Sequence, residues 1–275
     1  MGFFSWLFRK KPRKIKLGLA LGSGGAKGFA ELGAIRAFEE NGISFDVIAG
    51  SSIGSIIGAF LAEDYTSTDI MHLIKSIDFS DILSKLMIKM DTDGLYKVLD
   101  KMIGGLSIEE LKKPYRAVAT EMESGEMHVF SGGSVARATC ASSCYPPFFK
   151  PVVIDGIKYV DGAFSNSVPA DQVREMGAEY IVGIDLSATV KSKPTILTKL
   201  FTTYIGKEEQ PSKKGDENAD VMLHPDLNDY KPTSFREAEQ MYEIGYNEAV
   251  KKIPKIKDEI RALSLTKPKK NKKKK

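Results

Sequence analysis

Short apolar runs alternate with longer amphipathic segments in the N-terminal part of the chain. An apolar run over residues 15–21 predicts a buried strand, and helical spacing of apolar positions over residues 29–41 predicts the helix that follows. The same order is repeated when a run over residues 45–49 is followed at once by a second helical segment. Repetition of strand, turn and helix is typical of an α/β fold, with a parallel sheet and helices on its faces.

The remainder of the chain mixes helices and strands. Residues 64–112 are predicted to be helical, with an apolar stripe that we assign to core packing. The predicted strands cover residues 115–123, 126–132 and 179–188, and two Asp-Gly pairs predict a hairpin within residues 154–164. Residues 206–219 are mostly polar and are interpreted as a mobile loop, and a last helix is predicted over residues 234–252.

The second strand-to-helix junction contains the pattern Gly-x-Ser-x-Gly, formed by Gly50, Ser52 and Gly54. Small residues suit any tight connection, so the pattern has a purely structural interpretation. On a strand, turn and helix, however, the same pattern exposes a serine hydroxyl as a nucleophile, because the glycines relieve the clashes of a sharp turn. Ser52 is therefore a candidate nucleophile.

The first strand-to-helix junction, GSGGAKG, differs from two phosphate-binding motifs. A P-loop requires Gly-Lys before serine or threonine, whereas here Ala26 precedes Lys27 and Gly28 follows it. A dinucleotide-binding fingerprint that ends on Gly28 would have Ser23 in place of its first glycine. Neither nucleotide motif is therefore predicted.

The same turn supplies backbone amides at Gly24, Gly25 and Ala26, directly before a predicted helix. Amides at a helix N-terminus can stabilise a developing negative charge on oxygen. The glycines of this turn also have a structural interpretation, as a tight connection between strand and helix.

A nucleophilic serine requires a group that accepts its proton. The histidines that follow Ser52 are His128 and His224, and Asp161 or Asp185 could complete a triad in the order serine, aspartate, histidine. Alternatively, a carboxylate can act as the base if desolvation raises its pKa. Asp161 suits this role because it ends an apolar strand and Gly162 leaves space beside it. Its Asp-Gly pair alone would also fit a simple hairpin turn.

Five segments in order resemble the patatin-like phospholipases. They are LGLALGSGGAKGFAELGAIRAFEE, IAGSSIG, ATCASSCYPPFFKPV, YVDGAFSNSVPAD and IVGID. The match covers residues 15–188, and HPDLNDY at residues 224–230 resembles a later strand-end segment of the family. The resemblance implies a three-layer α/β/α sandwich with a central, mainly parallel sheet. Its hydrolase domain would cover residues 15–265, between an N-terminal segment, 1–14, and a lysine-rich tail, 266–275.

The resemblance also implies a role for individual residues. Ser52 would be the nucleophile, Asp161 its base in a two-residue dyad, and the amides of Gly24 and Gly25 the oxyanion hole. The other motif positions are Lys27 and Gly28 in the supporting loop, and Gly50, Gly54, Gly162 and Ala163 beside the dyad. Ser23 departs from the family pattern, which usually has a glycine there.

A family member would hydrolyse acyl esters of lipids without a metal or an organic cofactor. Two alternatives stay open: a catalytically silent adaptor or regulator at a membrane, and an acyltransferase that uses the same dyad. A further apolar stripe fits either core packing or a lid over an acyl groove. This stripe consists of Ile196, Leu197, Leu200, Phe201, Tyr204 and Ile205.

Basic residues are concentrated at the two ends of the chain. Six lysines and arginines lie between residues 9 and 16, seven lysines lie between residues 267 and 275, and neither segment contains an acid. The positive charges of these two segments exceed the chain's net charge of +4, so the rest of the chain carries a net negative charge. A nucleic-acid-binding domain carries its positive charge on a folded face, so this pattern argues against nucleic acid as a partner.

The N-terminal segment MGFFSWLFRKKPRK has large apolar residues directly before its basic cluster. This arrangement is typical of an interfacial anchor on an anionic membrane, although disordered solubilising tails are the alternative at both ends. Trp6 occupies the position at which N-myristoylation requires serine or threonine. Two cysteines and the lack of a secretory signal predict a cytoplasmic protein, peripheral on the inner face of the cell membrane.

Overall fold

The computed structural model describes residues 12–76, 79–187 and 213–266. The strands are β1 (Leu17–Leu21), β2 (Val47–Ser51), β3 (Tyr115–Glu121), β4 (Met127–Phe130), β5 (Val152–Ile154), β6 (Ile157–Asp161), β7 (Tyr180–Ile184) and β8 (Val221–Leu223). The helices are α1 (Gly28–Glu40), α2 (Ile53–Ala62), α3 (Ser67–Ser76), α4 (Phe79–Lys89), α5 (Thr92–Ile103), α6 (Val135–Ser143), α7 (Ala170–Glu175), α8 (Lys213–Asn218) and α9 (Ala238–Ser264). The predicted N-terminal segment and lysine tail, and the stripe over residues 196–205, lie outside the described residues except for positions 12–14 and 266.

The eight strands form one mixed sheet in the order β5-β6-β3-β2-β1-β7-β8, and β4 pairs with β3. Five neighbouring strands of this sheet are parallel to one another, namely β3, β2, β1, β7 and β8. The other three strands, β4, β5 and β6, pair in antiparallel fashion. The prediction of an α/β fold with a central, mainly parallel sheet is confirmed.

The side chains of the central strands divide between two cores because successive residues of a strand point to opposite faces. Leu19, Leu21 and Ile48 belong to the larger core, which also contains Phe38 of α1 and Phe60 of α2. On the opposite face, the strands contribute smaller residues to a second core with α7. That core includes Ala20, Val47, Ala49, Val173 and Ile181. Helices therefore cover both faces of the sheet, which gives three layers.

Two boundary predictions are wrong. The last helix spans Ala238–Ser264 and includes Pro254, although we predicted that it would end at residue 252. Ile253 and Ile256 are buried, so tertiary packing maintains the helix on both sides of the proline. Within the predicted polar loop, residues 213–218 form α8, where Gly215 packs closely against Val168. In the described part of the chain, no helix is both long and apolar enough to cross a bilayer.

The close packing of α1 against α9 depends on two glycines. A Cβ atom at Gly33 of α1 would overlap the carbonyl oxygen of Tyr242, and one at Gly245 of α9 would overlap the carbonyl oxygen of Ala30. Both contacts involve backbone atoms, which cannot move aside as a flexible side chain can. The two helices therefore approach each other closely only because these positions lack side chains.

We predict that Gly245→Ala destabilises the protein by about 2 kcal/mol, because the steric overlap outweighs the better helix propensity of alanine. The measurement is the free energy of unfolding in urea. Asn247→Ala is the matched control, since it introduces alanine at an exposed position of the same helix. Equal stability of the two variants would contradict this account of the α1–α9 contact.

Candidate active site

The C-terminal ends of β2 and β6 meet along one edge of β3. Ser51, the last residue of β2, pairs with Val118, and Asp161, the last residue of β6, pairs with Ala119. Because β2 is parallel and β6 antiparallel to β3, the two strands approach each other end to end. This register brings together Ser52 and Asp161, which are 109 positions apart in the sequence.

Ser52 connects β2 to α2 in a conformation that is rare for a residue with a side chain. Its φ and ψ are 54° and −126°. The backbone amide of Ser52 donates to Ser142 Oγ over 2.8 Å, and the Ser142 hydroxyl donates to the carbonyl oxygen of Val118 over 2.5 Å. Helix α6 and strand β3 therefore hold the strained residue in place.

Gly50 and Gly54 allow two backbone segments to pass close to the Ser52 turn. A Cβ atom at Gly50 would overlap the backbone of Gly54, and one at Gly54 would lie 2.5 Å from the carbonyl oxygen of Leu21. Both glycines of the Gly-x-Ser-x-Gly pattern are thus required by close backbone contacts.

The Ser52 hydroxyl donates a hydrogen bond of 2.6 Å to Asp161 Oδ2. The other carboxyl oxygen of Asp161 accepts from the amide of Ala163 over 2.8 Å. Ser52 and Asp161 are only 8% and 1% exposed. Burial raises the pKa of Asp161 to about 7, and the hydrogen bonds from Ser52 and Ala163 oppose that rise. The carboxyl group therefore exchanges its proton near neutral pH, as a general base requires.

Gly162 does not leave the open space beside Asp161 that we predicted, because other atoms pack closely against it. A Cβ atom at this position would overlap Ser51 Oγ and the carbonyl oxygen of Val118. The pair Asp161–Gly162 ends β6 and begins a short 3₁₀ turn. The other Asp-Gly pair of the predicted hairpin, Asp155 and Gly156, forms its turn, with φ values of 52° and 81° between β5 and β6.

Two backbone amides of the glycine-rich loop after β1 have no acceptor among the described residues, whereas their neighbours are engaged. Gly22 N donates to Glu31 Oε1 (2.7 Å), Ser23 N to the carbonyl oxygen of Ser167 (3.1 Å), and Ala26 N to that of Pro232 (2.8 Å). Within the described residues, the amides of Gly24 and Gly25 donate no hydrogen bond. Of the three amides that the sequence suggested, that of Ala26 is therefore already occupied, and those of Gly24 and Gly25 have no acceptor in the described part of the chain.

Ser23 connects this loop to the Ser52 turn. Its hydroxyl donates to Ser51 Oγ over 3.0 Å, directly before the candidate nucleophile. A Cβ atom at Gly54 would also lie 2.7 Å from the carbonyl oxygen of Gly22, so the two turns are in close backbone contact. The serine that departs from the family pattern thus forms a hydrogen bond that a glycine cannot form.

Lys27 and Gly28 support the loop from the helix side. The Lys27 side chain is buried; burial lowers its pKa, and the carboxylate of Asp185 acts in the opposite direction. A Cβ atom at Gly28 would lie 2.5 Å from Ile53, so this glycine allows α1 to pack against the start of α2.

The two candidate histidines make other contacts. His128 on β4 packs against the rings of Phe130 and Tyr159, at centroid distances of 4.5 Å and 4.8 Å. His224 Nδ1 lies 3.7 Å from Asp185 Oδ2. The Ser52 hydroxyl donates to Asp161 instead of to an imidazole. The geometry therefore favours the two-residue alternative over a triad.

Sequence reasoning missed two side chains that hold the site together. Ser142 orients the Ser52 backbone, and Glu31 accepts from the loop at Gly22. Ser142 lies within the recognised segment ATCASSCYPPFFKPV, but its neighbours Ser143 and Thr139 are equally plausible from sequence. For the described residues, no cluster of histidine, cysteine, aspartate and glutamate could hold a metal ion.

The family model described as patatin-like phospholipase matches residues 19–174. The chain belongs to the patatin-like phospholipase family. Patatin-like phospholipase domain-containing protein 7 of Rattus norvegicus is 32% identical over 187 residues, which are 62% of this chain and 14% of that protein. This patatin-like chain thus corresponds to a small part of that relative.

Two solved structures share the fold of this patatin-like chain. VipD from Legionella pneumophila has a TM-score of 0.57 and 16% identity, and the match covers 89% of this chain and 68% of VipD. Human GIVD cytosolic phospholipase A2 has a TM-score of 0.50 and 14% identity, with coverage of 91% and 59%. At these identities the likeness shows the fold alone.

We predict that Asp161→Asn stabilises the protein at pH 8 relative to wild type, and much less at pH 4. The folded pKa of about 7 lies above the ordinary value of 3.8, so the stabilising contribution of the protonated carboxyl is complete below pH 4 and is lost as the pH rises through 7. The difference should reach about 4 kcal/mol at most. Urea unfolding across this pH range measures it.

The matched control is Glu123→Gln, which neutralises a side chain that is 81% exposed. Its stability should follow that of wild type at every pH, because solvent surrounds most of this side chain in the folded protein. A constant offset between Asp161→Asn and wild type over the whole range would refute the proposed buried titration.

Proposed function

We propose that this chain is a serine hydrolase that cleaves acyl esters of lipids with a Ser52–Asp161 dyad. The observation that carries the proposal is the 2.6 Å hydrogen bond from Ser52 Oγ to the buried carboxyl group of Asp161. Membership of the patatin-like phospholipase family supports a lipid as the substrate. The positive φ of Ser52 supports a nucleophilic role, since it is the backbone conformation of a sharp strand-to-helix turn.

In the proposed first half-reaction, Asp161 accepts the proton of Ser52 while Oγ attacks the acyl carbonyl carbon. The carbonyl oxygen becomes negatively charged in the tetrahedral intermediate, and the amides of Gly24 and Gly25 stabilise it. Collapse of the intermediate breaks the ester bond, and Asp161 returns the proton to the departing alkoxide. The products of this step are a free alcohol and an acyl group on Ser52.

In the second half-reaction, Asp161 takes a proton from water, and the hydroxide attacks the acyl-serine. A second tetrahedral intermediate collapses, the proton returns to Ser52 Oγ, and the fatty acid is released. The pKa of about 7 allows Asp161 to act as base and acid in turn at neutral pH. No step requires a histidine.

We predict that Ser52→Ala and Asp161→Asn each lower kcat/KM for a lipid ester by roughly a thousandfold or more. The two residues act on one proton, so the double variant should lose little beyond either single variant. Products from a panel of lipids, identified by mass spectrometry, provide the assay and also reveal the head group and the position of the bond that is cleaved.

His224→Ala is the control for the triad alternative and should retain most of the activity, because its imidazole lies beside Asp185. Loss of activity in that variant, or a double variant far worse than both single ones, would contradict the dyad. A fluorophosphonate reagent provides a second test, since human GIVD cytosolic phospholipase A2 was solved with methyl γ-linolenyl fluorophosphonate. Wild-type protein that neither reacts at Ser52 nor hydrolyses lipid would instead be an adaptor.

We also propose that the enzyme acts at an anionic membrane surface, held by its two basic ends. The support comes from sequence: aromatic residues precede the N-terminal cluster, and the C-terminal cluster consists of lysines. Each basic side chain near an anionic surface contributes about 1 kcal/mol, which decreases as salt screens the charges. The proposed location is the inner face of the cell membrane.

We predict that the full chain sediments with anionic vesicles at low salt and is partly released at high salt. Removal of residues 2–13 should weaken binding in both conditions, because it removes apolar and basic side chains together. Removal of residues 267–275 should weaken only the salt-sensitive part of the binding, because it removes lysines and no large apolar side chains. Neutral vesicles are the control, and a full chain that stays in the supernatant with anionic vesicles at low salt would exclude the membrane proposal.

A further inference from the structure

Glu31 is a buried acid that the proposed chemistry does not use. It lies in the first turn of α1, and its side chain is 0% exposed. Oε1 accepts from the amide of Gly22 over 2.7 Å, whereas Oε2 is buried and has no hydrogen-bond partner among residues 12–76, 79–187 and 213–266. Burial of a carboxyl group is unfavourable unless its contacts compensate for the lost water. We therefore attribute the burial of Glu31 to its contact with Gly22.

The amide that Glu31 binds is the first one beyond the β1 ladder. Strand β1 pairs with β2 and β7 up to Leu21, opposite Gly50 and Ile184. The next amide, that of Gly22, therefore has no strand partner, and a buried amide requires an acceptor. Glu31 supplies that acceptor from the helix on the far side of the loop.

Gly22 is also held tightly by its surroundings. A Cβ atom on this residue would lie 2.6 Å from the carbonyl oxygen of Ile184, at the end of β7. Its own carbonyl oxygen packs against Gly54, at the start of α2. A small rotation of the peptide before Gly22 would thus be transmitted along the loop toward the free amides of Gly24 and Gly25.

We propose that Glu31 is a positioning residue, which orients the oxyanion loop by accepting a hydrogen bond from Gly22 N. The expected effect of Glu31 on kcat rests on the proposed function. The expected effect on the orientation of the loop rests only on the Glu31–Gly22 contact. A misoriented amide stabilises the oxyanion poorly, because the donors must point at the position where charge develops.

Burial and the charge of Asp185 both favour the neutral form of the Glu31 carboxyl group. Burial raises the pKa of Glu31 well above its ordinary value, the Gly22 amide opposes this effect, and the charge of Asp185 adds to it. Asp185 in turn interacts with Lys27 and lies 3.7 Å from His224 Nδ1. A neutral acid below the loop avoids a negative charge that would oppose the developing oxyanion.

Three variants separate these roles. Glu31→Gln keeps a neutral side chain with an acceptor oxygen, and Glu31→Leu removes the acceptor at similar volume. Glu40→Leu is the control on the same helix, since Glu40 bonds Arg36 and Tyr246 at the opposite end of α1. Steady-state kinetics on a short-chain p-nitrophenyl ester give kcat and KM, and NMR gives the hydrogen-exchange rate of the Gly22 amide.

We expect Glu31→Gln to retain kcat within about threefold and to keep the Gly22 amide protected. Glu31→Leu should lower kcat by about tenfold to a hundredfold with little change in KM, because the loop amides are displaced while the acyl-binding surface is intact. Its Gly22 amide should exchange at least about tenfold faster. Glu40→Leu should resemble wild type in both measurements.

The proposal is overturned if Glu31→Leu keeps the wild-type kcat and Gly22 protection, or if Glu31→Gln behaves like the leucine variant. Should Glu31→Leu fail to fold, Glu31→Met provides the same comparison, since its thioether is a much weaker acceptor. Wild-type protein without turnover or labelling at Ser52 would contradict the proposed function. The Gly22 exchange rates would then decide the role of Glu31 on their own.

Discussion

The register of β3 is the constraint on which the candidate site depends. One edge of β3 is shared by two strands of opposite direction, so that β2 ends opposite Val118 and β6 ends opposite Ala119. Their terminal residues must meet, and the small residues at the junction allow them to do so: a side chain at Gly162 would overlap Ser51. A shift of β6 by one residue would turn Asp161 to the other face of the sheet and separate it from Ser52. The close backbone contacts around Gly50, Gly54 and Gly162 therefore maintain the chemical geometry as well as the packing.

Burial has opposing effects at this junction. It removes water from Asp161 and thereby raises the pKa of the carboxyl group to about 7, where it can exchange a proton with a hydroxyl. The same desolvation makes an ionised carboxylate unfavourable in the folded protein. The hydrogen bonds from Ser52 and Ala163 limit that cost without returning the pKa to its ordinary value. The burial that brings the pKa of Asp161 near neutral thus lowers the stability of the folded protein above that pH.

The glycine-rich loop illustrates how a protein can leave polar groups unpaired in selected places. Buried amides normally find acceptors, and Gly22, Ser23 and Ala26 do so with a side chain and two carbonyl groups from distant segments. These contacts fix the loop on both sides of Gly24 and Gly25, whose amides have no hydrogen-bond acceptor among the described residues. Rigid flanks around free donors are the arrangement expected of a preorganised anion site. Ser23 adds to this rigidity through Ser51, which accounts for a serine at a position where the family usually has glycine.

The sequence alone determined the local features of this protein. Alternation of apolar runs and helical spacing predicted the α/β fold, and glycine patterns marked both turns, because these signals depend on the conformation of neighbouring residues. The Asp-Gly pair identified Asp161 as a candidate base, but it could not separate a dyad from a triad. Only the tertiary structure placed Ser52 against Asp161, engaged the Ala26 amide while those of Gly24 and Gly25 met no acceptor in the described segments, and brought Glu31 to Gly22. It also extended α9 through Pro254, against the local preference of that residue. These outcomes depend on the direction and register of strands far apart in the chain, and on the burial that results, which no local pattern specifies.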